Sequence, residues 1–355
     1  MHQILDQVRR TQGRLLEAIG FGPNETPFRI ILNRASFRLR AYGAARGQPT
    51  VVIVPAPIKR AYIWDLDSQA SAVRHLLDSG ITVYLVEWMS ADEGAPDTGL
   101  SGYADRYLGE ALEAVARDSG GAPPVLAGHS LGGTLAAIFS ALHPERLQGL
   151  VLLESPLRFG PHAGAFAPWL TMAPHASGMR TAFSSAPGSF LTVISMAMAP
   201  DSFVWSVWAD RAASLHDPVA RRLHGRVLRW ALDELAMPGR LFEDVVEQLY
   251  RRDQFWAGTL RVGARAAAAA DMAVPILAVA DPLNRVTPLA SVLPDLDVFR
   301  RPECLTLSYE GDRGVAIRHV GVLVGANAHR SLWPRIVRWI RARYEARSAH
   351  RRVHR

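Results

Sequence analysis

The sequence predicts an α/β protein: a mostly parallel central sheet with helices on both faces and a helical insertion between two of its strands. Three observations carry that expectation. From Thr50 onward, short apolar runs rich in β-branched residues alternate with stretches of helical spacing. One of those runs leads directly into a serine flanked by glycines, Gly128 to Gly133, which opens a helix. The alternation stops after Pro156 and resumes at Val274.

The elements follow in order. Ile4 to Ile19 carries apolar residues at helical spacing, and Pro27 ends that section. Phe28 to Tyr42 alternates, with Phe37 and Leu39 set against Arg38 and Arg40, as a strand or hairpin does. Residues 1–49 thus form an N-terminal helix and strand extension. Val51 to Val54 reads as a strand, Ser68 to Leu77 as a helix, Thr82 to Val86 as a strand and Tyr103 to Ala116 as a helix. Val125 to Ala127, Leu131 to Leu142 and Leu150 to Leu153 repeat the strand–helix–strand beat. Strands apolar on both faces and separated by helices indicate a parallel sheet covered on both sides. From about Leu157 to Ala270, Trp, Met, Phe and Pro are frequent, and helical patterns such as Val219 to Leu235 and Leu241 to Leu249 replace the strands. An insertion at this place suits a lid or cap, and its apolar content also suits a helical packing layer. Val274 to Val279, Leu305 to Tyr309 and Trp333 to Tyr344 supply two further strands and a closing helix. The core is therefore expected in 50–156 and 271–345, the lid in 157–270 and a basic tail in 346–355.

Composition excludes several classes. A chain of 355 residues with 49% hydrophobic residues can bury a large core. The best apolar run, Phe190 to Met198, is too short for a bilayer and is stopped by Pro200 and Asp201, so no transmembrane segment is expected. The first residues have spread charges and no signal-peptide core, which predicts a cytoplasmic protein. The one cysteine, Cys304, excludes an intrachain disulfide and a cysteine metal site, and its apolar surroundings predict a buried structural thiol. The histidines lack metal-ligand spacing, so no metal and no resident cofactor are expected. The net charge of +7 is concentrated in Arg341 to Arg355, where six arginines face only Glu345. A solvated tail accounts for it, and no nucleic-acid partner is expected.

The chemistry-bearing motif is Gly128-His129-Ser130-Leu131-Gly132-Gly133. It follows the strand ending at Ala127 and opens the helix from Leu131, the strand–turn–helix setting of the G-x-S-x-G nucleophile elbow. The fold class thereby sharpens to an α/β-hydrolase fold. The turn is so tight that a side chain two residues before or after the serine, at Gly128 or Gly132, would collide with its neighbours. Ser130 is forced into a strained backbone region that exposes its hydroxyl. The Leu131 N–H, at the helix N-terminus, points where an oxyanion forms. A second oxyanion donor is expected from Pro55-Ala56-Pro57-Ile58, where only Ala56 and Ile58 have an N–H to give.

The base of such a site lies late in the chain. His319 and His329 are the candidates; His319 follows the Leu305 to Tyr309 strand at a workable distance, whereas His329 lies near the closing helix and suits a surface position. The residue that orients the base normally follows the Ile276 to Val279 strand. That loop reads Asp281-Pro282-Leu283-Asn284-Arg285-Val286-Thr287-Pro288, with Asn284 in the usual acid position and Asp281 three residues earlier. Glu154, at the end of the Leu150 to Leu153 strand, is a further supplier. Asparagine orients an imidazole but stabilises imidazolium less than a carboxylate does.

These segments resemble the polyhydroxyalkanoate synthases, most of all the catalytic subunit of the two-subunit type. The likeness runs through Val54-Pro55-Ala56-Pro57-Ile58 and Tyr62-Ile63-Trp64-Asp65-Leu66, then Val83 to Trp88 and Tyr103. It continues at Leu249-Tyr250, Gly263 and Arg265, and at His319-Val320-Gly321, Gly325, Leu332-Trp333-Pro334 and Trp339-Ile340. The resemblance covers most of the chain and is looser in the lid. It implies Ile58 as the second oxyanion donor and His319 as the base. Two departures stand out: the family has cysteine where this chain has Ser130, and aspartate where it has Asn284. A serine ester is a poorer leaving group than a thioester and is readily cleared by water. The leading expectation is therefore a serine-dependent ester or thioester hydrolase or acyltransferase, with acyl-coenzyme A as a possible substrate. Polymer synthesis from hydroxyacyl-coenzyme A, with a partner subunit or as a homodimer, and a catalytically inactive acyl-binding protein are the alternatives.

Overall fold

The strands form where β-branched and aliphatic residues run together, and the wholly apolar ones are buried at every position. We describe them in a computed structural model, over residues 2–43, 46–172, 175–178, 184–294 and 303–353. Among the described residues the central sheet has eight strands: β1 (Arg29–Asn33), β2 (Phe37–Tyr42), β3 (Thr50–Val54), β4 (Thr82–Trp88), β5 (Val125–His129), β6 (Gly149–Leu153), β7 (Ile276–Ala280) and β8 (Cys304–Ser308). Their order is β1-β2-β4-β3-β5-β6-β7-β8. The β1–β2 and β2–β4 pairs are antiparallel, and every pair from β4 to β8 is parallel. Six parallel strands in succession require crossover helices on the faces, as the sequence rhythm predicts.

The main helices are α1 (His2–Leu16), α2 (Ala72–Asp78), α3 (Tyr107–Ser119), α4 (Leu131–Leu142), α5 (Gly188–Met198), α6 (Ser206–Ala213), α7 (Pro218–Ala231) and α8 (Trp333–Val353). Period-two alternation divides each strand between two cores. Val52 and Val54 of β3 pack with α3 and α4, through residues such as Leu112, Leu135 and Phe139. Val51 and Ile53 pack with α2, α7 and α8, through Leu76, Val227 and Ile336. The insertion 157–270 contributes to both layers. Its hairpin Leu260–Val262 and Arg265–Ala267 lies in the α3/α4 core, and α7 lies in the other.

Three local expectations shift. The helix predicted from Ser68 begins at Ala72, because the Asp67 carboxylate accepts the Gln69 and Ala70 N–H groups and holds a turn first. Ser71 then caps α2 by accepting the Arg74 N–H at 2.8 Å. The closing helix runs past Tyr344 to Val353, through the segment expected as a tail, since neither glycine nor proline interrupts it. Cys304 is half-buried rather than buried, because β8 is the sheet's edge and has one neighbour. It opens β8, at the opposite end of the parallel strands from the serine turn.

Among the described residues no single helix is long and apolar enough to cross a membrane.

Candidate active site

The serine turn sits at the C-terminal end of β5, in the middle of the sheet. Ser130 has φ 53° and ψ −134°, a strained conformation for a residue with a side chain. Glycine is required around it for space. A Cβ on Gly132 would lie 2.1 Å from the Val54 carbonyl oxygen, and one on Gly128 would lie 2.4 Å from the Gly133 Cα. A Cβ on Gly133 would meet the Ser155 hydroxyl at 1.8 Å. The close approach locks the turn between the ends of β3 and β6. The Ser130 N–H donates to the Leu153 carbonyl at 3.0 Å, and Ser155 Oγ donates to the Gly128 carbonyl at 3.3 Å.

Leu131 is the first residue of α4, and its N–H has no protein acceptor among the described residues. The same holds for Ile58. The Ile58 loop is pinned on both sides. Its carbonyl accepts the Leu235 N–H at 3.2 Å, and the Trp88 indole donates to the Pro55 carbonyl at 2.8 Å. Lys59, the one lysine of the chain, donates to Glu234 Oε1 at 3.1 Å and to the Ala231 carbonyl, tying this loop to α7. Burial lowers its pKa to about 8.

His319 is buried beside the elbow. Its ring lies 4.5 Å from that of His129, centroid to centroid, and His129 Nε2 donates to the His319 carbonyl at 2.8 Å. The His319 Nδ1 faces Glu154 Oε2 at 3.1 Å, Asn284 Nδ2 at 2.9 Å and Thr287 Oγ1 at 3.4 Å. The Nε2 is buried without a hydrogen-bond partner. The imidazole is thus held by one nitrogen, while the other is left without a partner. Burial, and then the neighbouring His129, push the His319 imidazole well below its ordinary pKa, toward the neutral form a general base needs. Burial, reinforced by nearby Asp281, pushes the Glu154 carboxyl up, and Arg318 pulls it back.

The structure brings Gly128, His129, Ser130, Leu131, Gly132, Gly133, Asn284 and His319 together, with the Ile58 loop against the elbow through Gly132. It does not bring Asp281 to the imidazole. Both Asp281 oxygens accept from Arg318, and Oδ1 also accepts the Leu283 N–H at 2.8 Å, so its place in the loop after β7 does not translate into contact with His319. Glu154 occupies that place. His329 is structural: its Nε2 donates to the Leu323 carbonyl at 2.9 Å and its ring stacks on Trp333. Among the described residues no cluster of His, Cys, Asp and Glu is arranged to hold a metal ion.

A family model described as the alpha/beta hydrolase fold matches residues 49–198, the span that contains the elbow. The chain has the α/β-hydrolase fold. Solved hydrolases share the architecture. A monoacylglycerol lipase of Paleococcus ferrophilus superposes with a TM-score of 0.54 at 15% identity, over 85% of this chain and 99% of that one. A lipase from Sulfolobus solfataricus gives 0.56 at 16% identity, over 89% and 99%. These show the fold alone. In sequence, this hydrolase-fold chain is similar to the poly(3-hydroxyalkanoate) polymerase subunit PhaC of Haloarcula marismortui, 23% identical over 94% of this chain and 71% of that protein. The corresponding subunit of Allochromatium vinosum is 24% identical over 96% of both chains.

Proposed function

We propose that this chain hydrolyses or transfers an acyl group held as an ester or thioester, through a covalent intermediate on Ser130. The observation that carries the reading is the pairing of a strained, accessible serine on a glycine-locked turn with a neighbouring imidazole whose Nδ1 is occupied and whose Nε2 is free. Ser130 Oγ attacks the carbonyl carbon as its proton passes to His319 Nε2. The tetrahedral oxyanion lies against the N–H groups of Leu131 and Ile58. Collapse breaks the bond to the alcohol or thiol, which leaves with the proton from Nε2. Water or another acceptor then repeats the attack, gives its proton to Nε2, and frees Ser130 Oγ, which recovers that proton.

A medium-chain or 3-hydroxyacyl group fits the polymerase-like relatives and the apolar insertion. A fluorophosphonate probe will label Ser130 in the wild type and leave Ser130→Ala unlabelled, and p-nitrophenyl ester or acyl-coenzyme A turnover will vanish with the label. Failure of the wild type to label, or turnover by Ser130→Ala, overturns the reading. The similarity to polymerase subunits favours a second reading, polymer synthesis from hydroxyacyl-coenzyme A. Coenzyme A release with polymer supports it; release of free acid without polymer excludes it.

A further inference from the structure

We propose that Glu154, from the end of β6, is the carboxylate that positions His319, and that Asn284, in the loop after β7, is the clamp for that carboxylate. This assignment rests on the acyl-transfer reading and identifies the third member of its site.

Hydrogen-bond polarity decides between the groups around Nδ1. A base that accepts the serine proton at Nε2 carries its own proton on Nδ1 and needs an acceptor there. Asn284 turns the wrong end of its amide toward the ring. Its Oδ1 accepts the Val286 N–H at 2.9 Å and the Thr287 N–H at 3.4 Å, which fixes the amide's orientation. Its Nδ2 is therefore what lies 2.9 Å from His319 Nδ1, and an amide nitrogen has hydrogens to give and no capacity to accept. Were Asn284 to donate to Nδ1, the proton would move to Nε2 and the ring would lose its function as a base. The consistent arrangement sends both hydrogens elsewhere: one to Thr287 Oγ1 at 2.9 Å, the other to Glu154 Oε2. Glu154 Oε2 is left as the acceptor of the Nδ1 proton at 3.1 Å; the Thr287 hydroxyl at 3.4 Å is a weaker one. Asp281, the other carboxylate nearby, is occupied by Arg318.

Two independent features mark Glu154. It has no exposure and one oxygen, Oε1, without a hydrogen-bond partner, an arrangement that costs about 1–3 kcal/mol and that a purely structural role would not select. It also has φ 47°, one of four non-glycine residues with positive φ among those described, with Ser130 another. The two strained residues are one hydrogen bond apart: the Ser130 N–H is held by Leu153, the residue before Glu154, whose own N–H donates to the Val279 carbonyl of β7 at 2.8 Å. The strain that presents the serine and the strain that presents the carboxylate belong to adjacent strand ends.

The test exchanges the two side chains. Glu154→Gln keeps size and replaces the carboxyl with an amide; with ester or thioester substrate it is expected to lower kcat about 10²–10⁴-fold with little change in KM, and to slow fluorophosphonate labelling in step. The acid limb of its kcat/KM profile shifts to lower pH, because the imidazolium loses its partner. Thermal unfolding checks that the variant is folded. Glu154→Gln with Asn284→Asp places the carboxylate on the β7 side and the amide on the β6 side, and is expected to recover at least about tenfold over Glu154→Gln alone. Activity of Glu154→Gln within about threefold of wild type, or a larger loss from Asp281→Asn, overturns the assignment of Glu154. No recovery in the double variant overturns the clamp role of Asn284. If Ser130→Ala is active, the acyl-transfer reading itself fails; if Ser130→Ala is inactive and Glu154→Gln is not, this assignment alone fails.

Discussion

The two halves of the site are built by opposite means. The serine half is made within six consecutive residues, 128–133, where Gly128 and Gly132 are dictated by backbone atoms 2.1–2.8 Å from where a Cβ would sit and Gly133 by the Ser155 side chain. The imidazole half is assembled from the segments that follow β6, β7 and β8, at residues 154, 284 and 319, each far from the others in the chain. Its geometry depends on side-chain hydrogen bonds that no spacing records. A tight turn limits its own residues to a few types, whereas a long-range contact admits many chemical solutions. The comparison teaches that rigidity in the first half is steric, and in the second half polar.

The sharpest way to break the contrast is to remove the steric lock. Gly132→Ala would drive a methyl into the Val54 carbonyl and Pro55, which are backbone and cannot swing aside. A loss of about 3 kcal/mol or more is expected, because overpacking against main chain cannot be relieved by a rotamer change. The urea midpoint reads it, and fluorophosphonate labelling should fall with it. A midpoint unchanged from wild type would mean that the elbow is held by something other than close approach.

That contrast also explains what was legible in the sequence. The alternation from Thr50 to Leu153 determined the parallel sheet, since strands buried on both faces admit only apolar residues. The elbow was legible because glycine at 128 and 132 has a steric cause within the turn, whereas the need for Gly133 comes from Ser155, far along the chain. His319 was legible from its place after the last strand. The orienting group was not, and three residues stayed open. Asn284 holds the customary position yet turns its donor to the ring, a fact fixed by the Val286 and Thr287 N–H groups that only the folded loop brings to it. Asp281 is a carboxylate in the same loop but is taken by Arg318, one residue before His319. The start of α2 was missed for a similar reason, a side-chain turn at Asp67 that competes with the helix.

The polar half should respond to pH where the steric half does not. His129 beside His319 is buried and His329, in the helical turn Ala328–Leu332, is half-buried, and desolvation lowers each pKa to about 4. For His329 the neighbouring His75 adds to the effect, while the Leu323 carbonyl and Asp67 oppose it. In the unfolded chain each titrates near the ordinary value of about 6.5. Between those values the unfolded chain binds protons that the fold refuses, so stability is fully present above about pH 6.5 and is lost as pH falls toward 4. Each histidine should account for about 2 kcal/mol between pH 6.5 and 5. Glu154, whose carboxyl is raised, slopes the other way. The difference between wild type and His329→Gln isolates the histidine: urea unfolding at pH 7 and pH 5 should show a smaller drop in the variant. Equal drops would show that His329 does not titrate between the two states.

A smaller effect tests how far the polar construction extends into the insertion. Asp210 of α6 accepts the Gly314 N–H at 2.8 Å and the Ala316 N–H at 2.9 Å, and bonds His224 Nδ1 of α7 at 2.7 Å. Ala316, with φ 54°, lies three residues before His319, and a Cβ on Gly314 would strike the Ala220 backbone of α7. The inserted helices are therefore a support for the loop that carries the base. A lid that opened by moving α6 and α7 would displace His319, so any opening motion that leaves the base in place must belong to other parts of the insertion. Asp210→Asn keeps the shape but offers one acceptor for two N–H groups. It should lower kcat about tenfold, equivalent to about 1.4 kcal/mol, with KM nearly unchanged, because the substrate meets the same walls while the base is less well placed. A rise in KM with kcat intact would instead assign Asp210 to substrate entry.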